Sequence, residues 1–381
     1  HIPVTVMRAP SHEEIFRVND YNSFEKLALE IFRFQAAGCR VYNEYIKLLG
    51  IKPEKIDSIL SIPFMPISFF RDHNVITSGQ PGFISAAPFP TPSTAGVPDT
   101  SFTATGGSPA AAGVRGKAAP GPAAGRIFLS SGTTGMKLSR HHVMYPEIYD
   151  ESLERTFRHF YGDPAQYAIM GLLPSYLERE GSSLVYMVNR LIQLSGNDAG
   201  GFFLNDHESL FRAIDNARTA GLRVLLIGVT FALLDLAEEH PCDLSDIIIM
   251  ETGGMKGRRQ EIIREEVHDI IMKAFGVSGV HSEYGMTELL TQSYSQGSGV
   301  FRTPPWMRVL IRDSHDPMSH SPDEGSSGGI SVIDLANIWS CSFIATADLG
   351  KMHSGGRFEV LGRYDNADIR GCSLLAGNDL I

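Results

Sequence analysis

A run of small polar residues directly follows a short apolar run near the middle of the chain. The apolar run, Ile127 to Leu129, predicts a buried strand, and the residues after it predict a tight turn: Ser130, Ser131, Gly132, Thr133, Thr134 and Gly135. A glycine-rich turn can direct several backbone N–H groups at an anion, and serine and threonine hydroxyls add donors. Polyphosphate binding requires this chemistry. Neither the Walker pattern nor Gly-x-Gly-x-x-Gly is present in the run, so an ordinary turn remains the alternative.

Three further segments place polar side chains near the ends of predicted strands. In the segment EYGMTE, the ring of Tyr284 could stack on a base, the hydroxyl of Thr287 could bond a phosphate oxygen, and the carboxylate of Glu288 could hold Mg²⁺. In ATADLG, the carboxylate of Asp348 could accept both hydroxyls of a ribose. In LGRYD, Arg363 could reach the same ribose or a phosphate. Each segment alone is also typical of an ordinary loop.

The composition limits the class of protein. The chain has 381 residues, 43% of them hydrophobic and 20% charged, which is typical of a soluble globular protein with one large or two ordinary domains. Its net charge of −10 gives no reason to expect nucleic acid as a partner. Since no apolar run reaches ~20 residues, we expect no membrane span. The four cysteines show no metal-site or Cys-x-x-Cys spacing, so we expect a reducing cytoplasm.

The elements that must position these residues follow from the apolar periodicity. Residues 12–50 carry apolar residues at helical spacing. Residues 84–125 consist mostly of Ala, Pro, Gly, Ser and Thr without any period, which predicts a flexible insertion. From Ile127 onward, short apolar strands alternate with amphipathic helices, and after about residue 300 only strands follow. The pattern predicts an α/β fold whose mainly parallel sheet is covered on both faces, plus a small β-rich subregion.

Two histidines follow the glycine-rich turn closely. His141 and His142 are adjacent in the sequence, and adjacent side chains do not easily face one site. We therefore expect them at the surface or behind the site, and not among the residues that contact a ligand.

Taken in order, the segments SSGTTG, YGMTE, TAD and GRYD resemble the signatures of the adenylate-forming superfamily of acyl- and aryl-CoA ligases, luciferases and peptide-synthetase adenylation domains. Within that superfamily the chain is most similar to the LuxE-like long-chain acyl-protein synthetases, through IPFMPISFFRDHNV, METGGMKGRR and IRGCSLL. The resemblance implies the large N-terminal domain of the adenylate-forming fold over residues 1–362. It also implies a truncated tail over residues 363–381, with the usual C-terminal domain largely absent.

The same resemblance implies an activity. A fatty acid would be activated with ATP and Mg²⁺ to an acyl-adenylate, with the Ser130–Gly135 loop on the phosphates, Glu288 on the metal, and Asp348 and Arg363 on the nucleoside. Cys372 would then accept the acyl group as a thioester and pass it to an acyl reductase partner, and an acyl transferase is a further candidate partner. Two alternatives remain open: a ligase that uses the thiol of CoA or of a carrier protein, and a nucleotide-binding relative without turnover.

Overall fold

The computed structural model describes residues 8–78, 125–131, 137–174, 181–253 and 263–363. The α-helices in these ranges are α1 (His12–Phe16), α2 (Tyr21–Gly38), α3 (Arg40–Leu48), α4 (Phe69–Asp72), α5 (Pro146–Tyr161), α6 (Ser183–Ser195), α7 (His207–Thr219), α8 (Thr230–Glu239) and α9 (Arg264–Phe275). The strands are β1 (Met65–Pro66), β2 (Arg126–Leu129), β3 (Arg140–Val143), β4 (Tyr167–Leu172), β5 (Gly201–Phe202), β6 (Arg223–Gly228), β7 (Ile248–Glu251), β8 (His281–Tyr284), β9 (Ser293–Ser295), β10 (Val300–Phe301), β11 (Met307–Arg312), β12 (His320–Ser321), β13 (Ser327–Asp334), β14 (Phe343–His353) and β15 (Arg357–Arg363).

A mainly parallel sheet has the strand order β5-β4-β6-β7-β8-β9. Pairing is parallel from β5 through β8, and β9 runs antiparallel to β8. Along β4, Tyr167 and Ile169 belong to one apolar core, whereas Ala168 and Met170 belong to a second core that also contains residues of α7, α8 and α9. Successive side chains on a strand point to opposite faces, so both faces of this sheet are covered. The α/β class predicted from the alternating pattern is confirmed.

A second sheet is built mostly from the last part of the chain. Its order is β10-β15-β14-β13-β11-β12 with antiparallel pairing, and β1 adds a parallel pair to β14. The N-terminal helices α2 and α3 pack against it, because the ring of Phe343 lies 5.9 Å from that of Phe32 and 6.2 Å from that of Tyr42. This confirms both the helical prediction for residues 12–50 and the β-rich subregion after residue 300.

A short antiparallel hairpin of β2 and β3 completes the described strands, with Phe128 paired to His141. None of the helices described here is both long and apolar enough to cross a membrane. The insertion at 84–125, except Gly125, and the tail after Arg363 lie outside the described residues. The domain boundary at 362/363 therefore stays a prediction.

Candidate functional site

The hairpin of β2 and β3 carries the predicted phosphate loop. At the base of the loop, the N–H of Ser130 donates to the carbonyl of Ser139 at 3.1 Å, and the N–H of Ser139 donates to Ser130 Oγ at 2.9 Å. Ser131 follows, whereas Gly132, Thr133, Thr134 and Gly135 lie outside the described residues. Lys137 Nζ lies 3.4 Å from Asp72 Oδ1 at the surface. The structure thus describes the two strands on either side of the loop. Phosphate binding by the loop stays a prediction.

Tyr284, Asp348 and Arg363 come together, although they were predicted from three separate segments. Tyr284 ends β8, and its hydroxyl donates to Asp348 Oδ2 at 2.9 Å. Asp348 and Arg363 are cross-strand partners on β14 and β15, with Arg363 Nη1 3.9 Å from Asp348 Oδ1. A carboxylate flanked by a hydroxyl and a guanidinium is therefore placed at the end of β8.

The ring of Tyr284 is held by aromatic packing. It meets the rings of Phe301 and Phe358 edge-on, at 5.9 and 5.5 Å, and only 7% of the residue is exposed. Burial, and then the nearby carboxylate of Asp348, raises the pKa of the Tyr284 hydroxyl well above its usual range, so the group remains protonated and donates. The predicted stacking of this ring on a base stays a prediction.

Side chains from two other elements form hydrogen bonds with the backbone carbonyls of Thr287 and Glu288. The carbonyl of Thr287 lies 2.8 Å from Nδ1 of His141, and the carbonyl of Glu288 accepts from Asn337 Nδ2 at 2.7 Å. Ser340 Oγ joins the two supports, at 3.0 Å from Nε2 of His141 and 2.8 Å from Asn337 Oδ1. Burial lowers the pKa of His141 to about 4, so its ring is neutral. Since a carbonyl can only accept, the proton of this ring is on Nδ1.

Asp334, at the end of β13, holds the residues that follow Glu288. Its Oδ2 accepts from the N–H groups of Leu290 and Thr291 at 2.8 and 3.0 Å, and its Oδ1 accepts from the Thr291 hydroxyl at 2.7 Å. Burial raises the pKa of Asp334 to about 6, against the opposing effect of these hydrogen bonds. The segment that carries Thr287 and Glu288 is thus fastened on both sides, which restricts where the Glu288 carboxylate can lie.

Another acidic group lies at the end of the neighbouring strand β7. Glu251 Oε1 accepts from Thr230 Oγ1 at 2.5 Å and from the N–H of Gly253 at 2.7 Å, and Arg264 Nε lies 3.9 Å from its Oε2. The carboxyl ends of β7 and β8 therefore lie side by side. In open α/β sheets, ligands bind in the crevice at this edge.

The fold of this chain is similar to that of several solved structures. A 2-hydroxyisobutyryl-CoA ligase in complex with 2-HIB-AMP and CoA superposes with a TM-score of 0.57 at 13% identity, over 93% of this chain and 72% of that chain. The protein has the adenylate-forming fold. No family model and no curated protein sequence matches the chain.

Other solved structures with this fold overlap less. They include ATP-bound MatB from Rhodopseudomonas palustris, with a TM-score of 0.48 at 17% identity over 62% of this chain and 47% of that chain. A long-chain-fatty-acid-CoA ligase from Archaeoglobus fulgidus gives 0.46 at 16% identity, over 66% of this chain and 53% of that chain. The chain thus spans about half the length of these two proteins.

The structure shows which residues support the segment that carries Thr287 and Glu288, and not all of them were indicated by the sequence. His141 was expected at the surface or behind the site, and it lies fully buried behind the Thr287 carbonyl. Asn337 and Asp334 were not singled out at all. The one available signal was the position of Asp334 at the end of the apolar run ISVID, where a carboxylate needs hydrogen-bond donors if it is buried.

Proposed function

We propose that this protein uses ATP to activate a carboxylic acid as an acyl-adenylate. The observation that carries the proposal is the convergence of Tyr284, Asp348 and Arg363 at the end of β8, next to the fastened segment that bears Glu288. The likeness in fold to a CoA ligase in complex with 2-HIB-AMP supports it.

The proposed chemistry is a displacement at phosphorus. Asp348 and Arg363 bind the ribose, and the Ser130–Gly135 loop binds the β and γ phosphates. A carboxylate oxygen of the acid attacks the α-phosphorus, a new P–O bond forms, and the bond to pyrophosphate breaks. Most of the rate enhancement would come from positioning the reactants and from neutralising charge on the phosphates.

Glu288 fits the role of the Mg²⁺ ligand. Its residue is 5% exposed and its backbone carbonyl accepts from Asn337, so its carboxylate has little freedom to move. Protein sites often hold Mg²⁺ with one or two carboxylates and complete its coordination with substrate phosphates. When bound, the ion would neutralise charge on the phosphate oxygens.

We further propose that the acid is a fatty acid and that Cys372 is the acyl acceptor. Cys372 is nine residues after Arg363, and nine extended residues reach at most about 30 Å. A thiolate at this position would attack the acyl carbonyl, so that a thioester forms and AMP leaves, the thiol proton having gone to solvent. The thioester would then be passed to an acyl reductase, with an acyl transferase as a further partner.

CoA is the second candidate acceptor. The likeness in fold to a CoA ligase extends over 93% of this chain, which favours this alternative. Under either acceptor we propose a cytoplasmic setting, because the described cysteines Cys39, Cys242 and Cys341 are free thiols.

ATP–pyrophosphate exchange tests the activation step. With Mg²⁺ and a panel of short- to long-chain acids, we expect exchange that requires an acid. Glu288→Gln should lower it about 100-fold, because a neutral amide is a poor Mg²⁺ ligand. Asp348→Ala should raise the KM for ATP about tenfold or more through the lost charged hydrogen bonds. Glu324→Gln, at an exposed position, is the matched control. Wild-type protein without exchange on any acid would contradict the proposal.

Labelling with a radioactive acid tests the acceptor. Cys372→Ala should still form acyl-adenylate and should leave no stable label on protein, because the adenylating residues lie elsewhere. Cys242→Ala is the matched control, since Cys242 is the exposed cysteine in the described part of the chain. Undiminished protein label in Cys372→Ala would exclude this acceptor, and a soluble acyl-CoA product after addition of CoA would favour the alternative.

A further inference from the structure

Two histidines and a glutamate lie together where the first turn of α7 meets the end of α8. His207 is the first residue of α7, Glu239 is the last residue of α8, and His240 follows it directly. Glu239 Oε2 is 3.6 Å from Nδ1 of His207 and 3.9 Å from Nε2 of His240. One ligand atom of each residue lies within 4.8 Å of the other two. Within the described ranges, no other group of three or more histidine, cysteine, aspartate or glutamate side chains comes together in this way.

The backbone at these positions is fixed by the two helices. The side chain of Asp206 caps α7 just before His207. The N–H of His240 donates to the carbonyl of Leu236 at 2.9 Å and closes the last turn of α8. Leu210 of α7 and Leu236 of α8 belong to the same apolar core. The three side chains therefore project from helices that share one packed core, which is the kind of support that a metal site needs.

Aromatic packing orients the two imidazole rings. The rings of His207 and His240 lie 5.1 Å apart and are nearly perpendicular, at 87°. His240 also packs edge-on against Phe211, one turn further along α7, at 5.7 Å. The side chain of His207 is only 20% exposed, whereas those of Glu239 and His240 are 62% and 45% exposed. One ligand is thus held in place, and the other two have room to adjust around an ion.

The charges around Glu239 favour a cation. In the part of the chain that the structure describes, no lysine or arginine forms an ion pair with Glu239. Its separations from the two histidines are longer than a hydrogen bond, so its Oε2 is available to coordinate an ion. The carboxylate of Asp206 also interacts electrostatically with His207. A cation here would therefore meet one carboxylate directly and have a second one nearby.

The donor atoms decide which ion fits. Two imidazole nitrogens and one carboxylate oxygen suit Zn²⁺, whereas Mg²⁺ prefers oxygen ligands. A tetrahedral Zn²⁺, bound at about 2.0–2.2 Å, holds its ligand atoms about 3.4 Å from one another. Rotation of the exposed side chains of Glu239 and His240 by about 1 Å would bring the three atoms to that spacing. Water would complete the coordination at the fourth position.

We propose that His207, Glu239 and His240 form a Zn²⁺ site that joins α7 to α8. The site is separate from the Mg²⁺ site proposed at Glu288, and it does not depend on the proposed function. The unfolded chain does not hold the three ligands together, so the ion binds the folded state in preference and stabilises it. The role of the site is therefore structural, as a clip across two helices that cover the same sheet.

Metal titration of the full chain, after treatment with a chelator, tests this proposal. By equilibrium dialysis we expect one Zn²⁺ per chain, which excess Mg²⁺ does not displace. With Zn²⁺ about 100-fold above its Kd, the melting temperature should rise by about 5 °C. Glu239→Gln and His240→Ala should each weaken binding about 100-fold or more, since changes outside the coordinating residues already cost about 10- to 100-fold. Both positions are exposed, so both variants should fold as the wild type does.

His315→Ala is the matched control. His315 also lies beside a carboxylate, with Nδ1 3.8 Å from Asp313 Oδ1, but no second histidine joins that pair among the described residues. This variant should keep both Zn²⁺ binding and the rise in melting temperature. Co²⁺ in place of Zn²⁺ should give the visible absorption of a tetrahedral site in wild type and not in His207→Ala. The proposal would be overturned by a lack of one-to-one Zn²⁺ binding, by binding that is unchanged in Glu239→Gln and His240→Ala, or by an equal loss in His315→Ala.

Discussion

Glu283 and Tyr284 are adjacent in the sequence, yet their side chains have different environments. Tyr284 is buried among aromatic rings and donates to Asp348, whereas the carboxyl of Glu283 has no described partner on the other face of the sheet. The alternation of side chains along a strand produces this difference.

The raised pKa of Glu283 predicts a specific pH dependence of stability. An unfolded glutamate titrates near ~4.3 and the folded one at about 8, so the folded state binds the proton more tightly. The wild-type free energy of unfolding should therefore fall as pH rises from about 4.5 to about 8. Glutamine does not titrate, so Glu283→Gln should match wild type near about pH 5 and be more stable near about pH 9.

Thermal unfolding at these two pH values measures the effect. We expect a gain of about 2 kcal/mol for Glu283→Gln at the higher pH, less than the full shift implies because solvent reaches part of the side chain. The exposed Glu266→Gln serves as control. Parallel pH profiles for wild type and Glu283→Gln would show that the carboxyl titrates normally.

At the scale of elements, the segment from Tyr284 to Thr291 depends on strands that are remote in sequence. β3 supplies His141, the turn after β13 supplies Asn337, and β13 itself supplies Asp334. Each of these residues contacts the backbone of the segment, so the shape of the segment does not depend on its own side chains alone. A loop held in this way can keep a metal ligand in place without reorganising during the reaction.

The support from His141 can be tested with its neighbour as the control. His141→Ala removes the hydrogen bond to the Thr287 carbonyl and should lower kcat for exchange about tenfold, with a loss of about 1–3 kcal/mol in stability. His141→Asn, whose amide can donate in place of Nδ1, should restore part of kcat.

His142→Ala is the matched control, because His142 is buried beside His141 and its Nε2 lies 3.2 Å from Asn74 Oδ1, away from the segment. It should lose stability and keep kcat. Equal kcat losses in the two alanine variants would mean that His141 acts only through general stability.

At the scale of the whole molecule, the two sheets meet where the proposed site lies. Tyr284 ends a strand of the mainly parallel sheet, and Asp348 lies on β14 of the antiparallel sheet. Neither sheet alone contains both groups. We therefore expect that anything that separates the sheets would abolish nucleotide binding before it unfolded either sheet.

The insertion at 84–125 gives a prediction at the same scale. Its Ala-, Pro- and Gly-rich composition predicts that it adds little to the apolar core, and the entropic cost of closing a loop changes only slowly with its length. Replacement by a short Gly/Ser bridge should shift the melting temperature by no more than about 2 °C, equivalent to about half a kcal/mol. A loss of many degrees would show that the segment is structural.

The elements of the fold could be predicted from the sequence because their signals are local. Short apolar runs and helical periods of three to four residues predicted the alternation of strands and helices that contains β4, α6, α7 and β6, since a strand buried on both faces is apolar throughout and a helix buried on one face is apolar at that period. The parallel sheet also followed, because strands and helices alternate along the chain. Loop residues 132–136 and Cys372 lie outside the described residues, so their roles remain predictions of the sequence alone.

The neighbours of each functional residue were decided only by the tertiary structure. His141 and Thr287 are separated by 146 positions, and Tyr284 and Asp348 by 64, so no local pattern links them. Their contacts depend on strand order and on how two sheets pack, which are properties of the whole core. Sequence periodicity could place Glu283 on a strand. Only the packed structure shows that its carboxyl is half-buried, has no partner among the described residues and has a raised pKa.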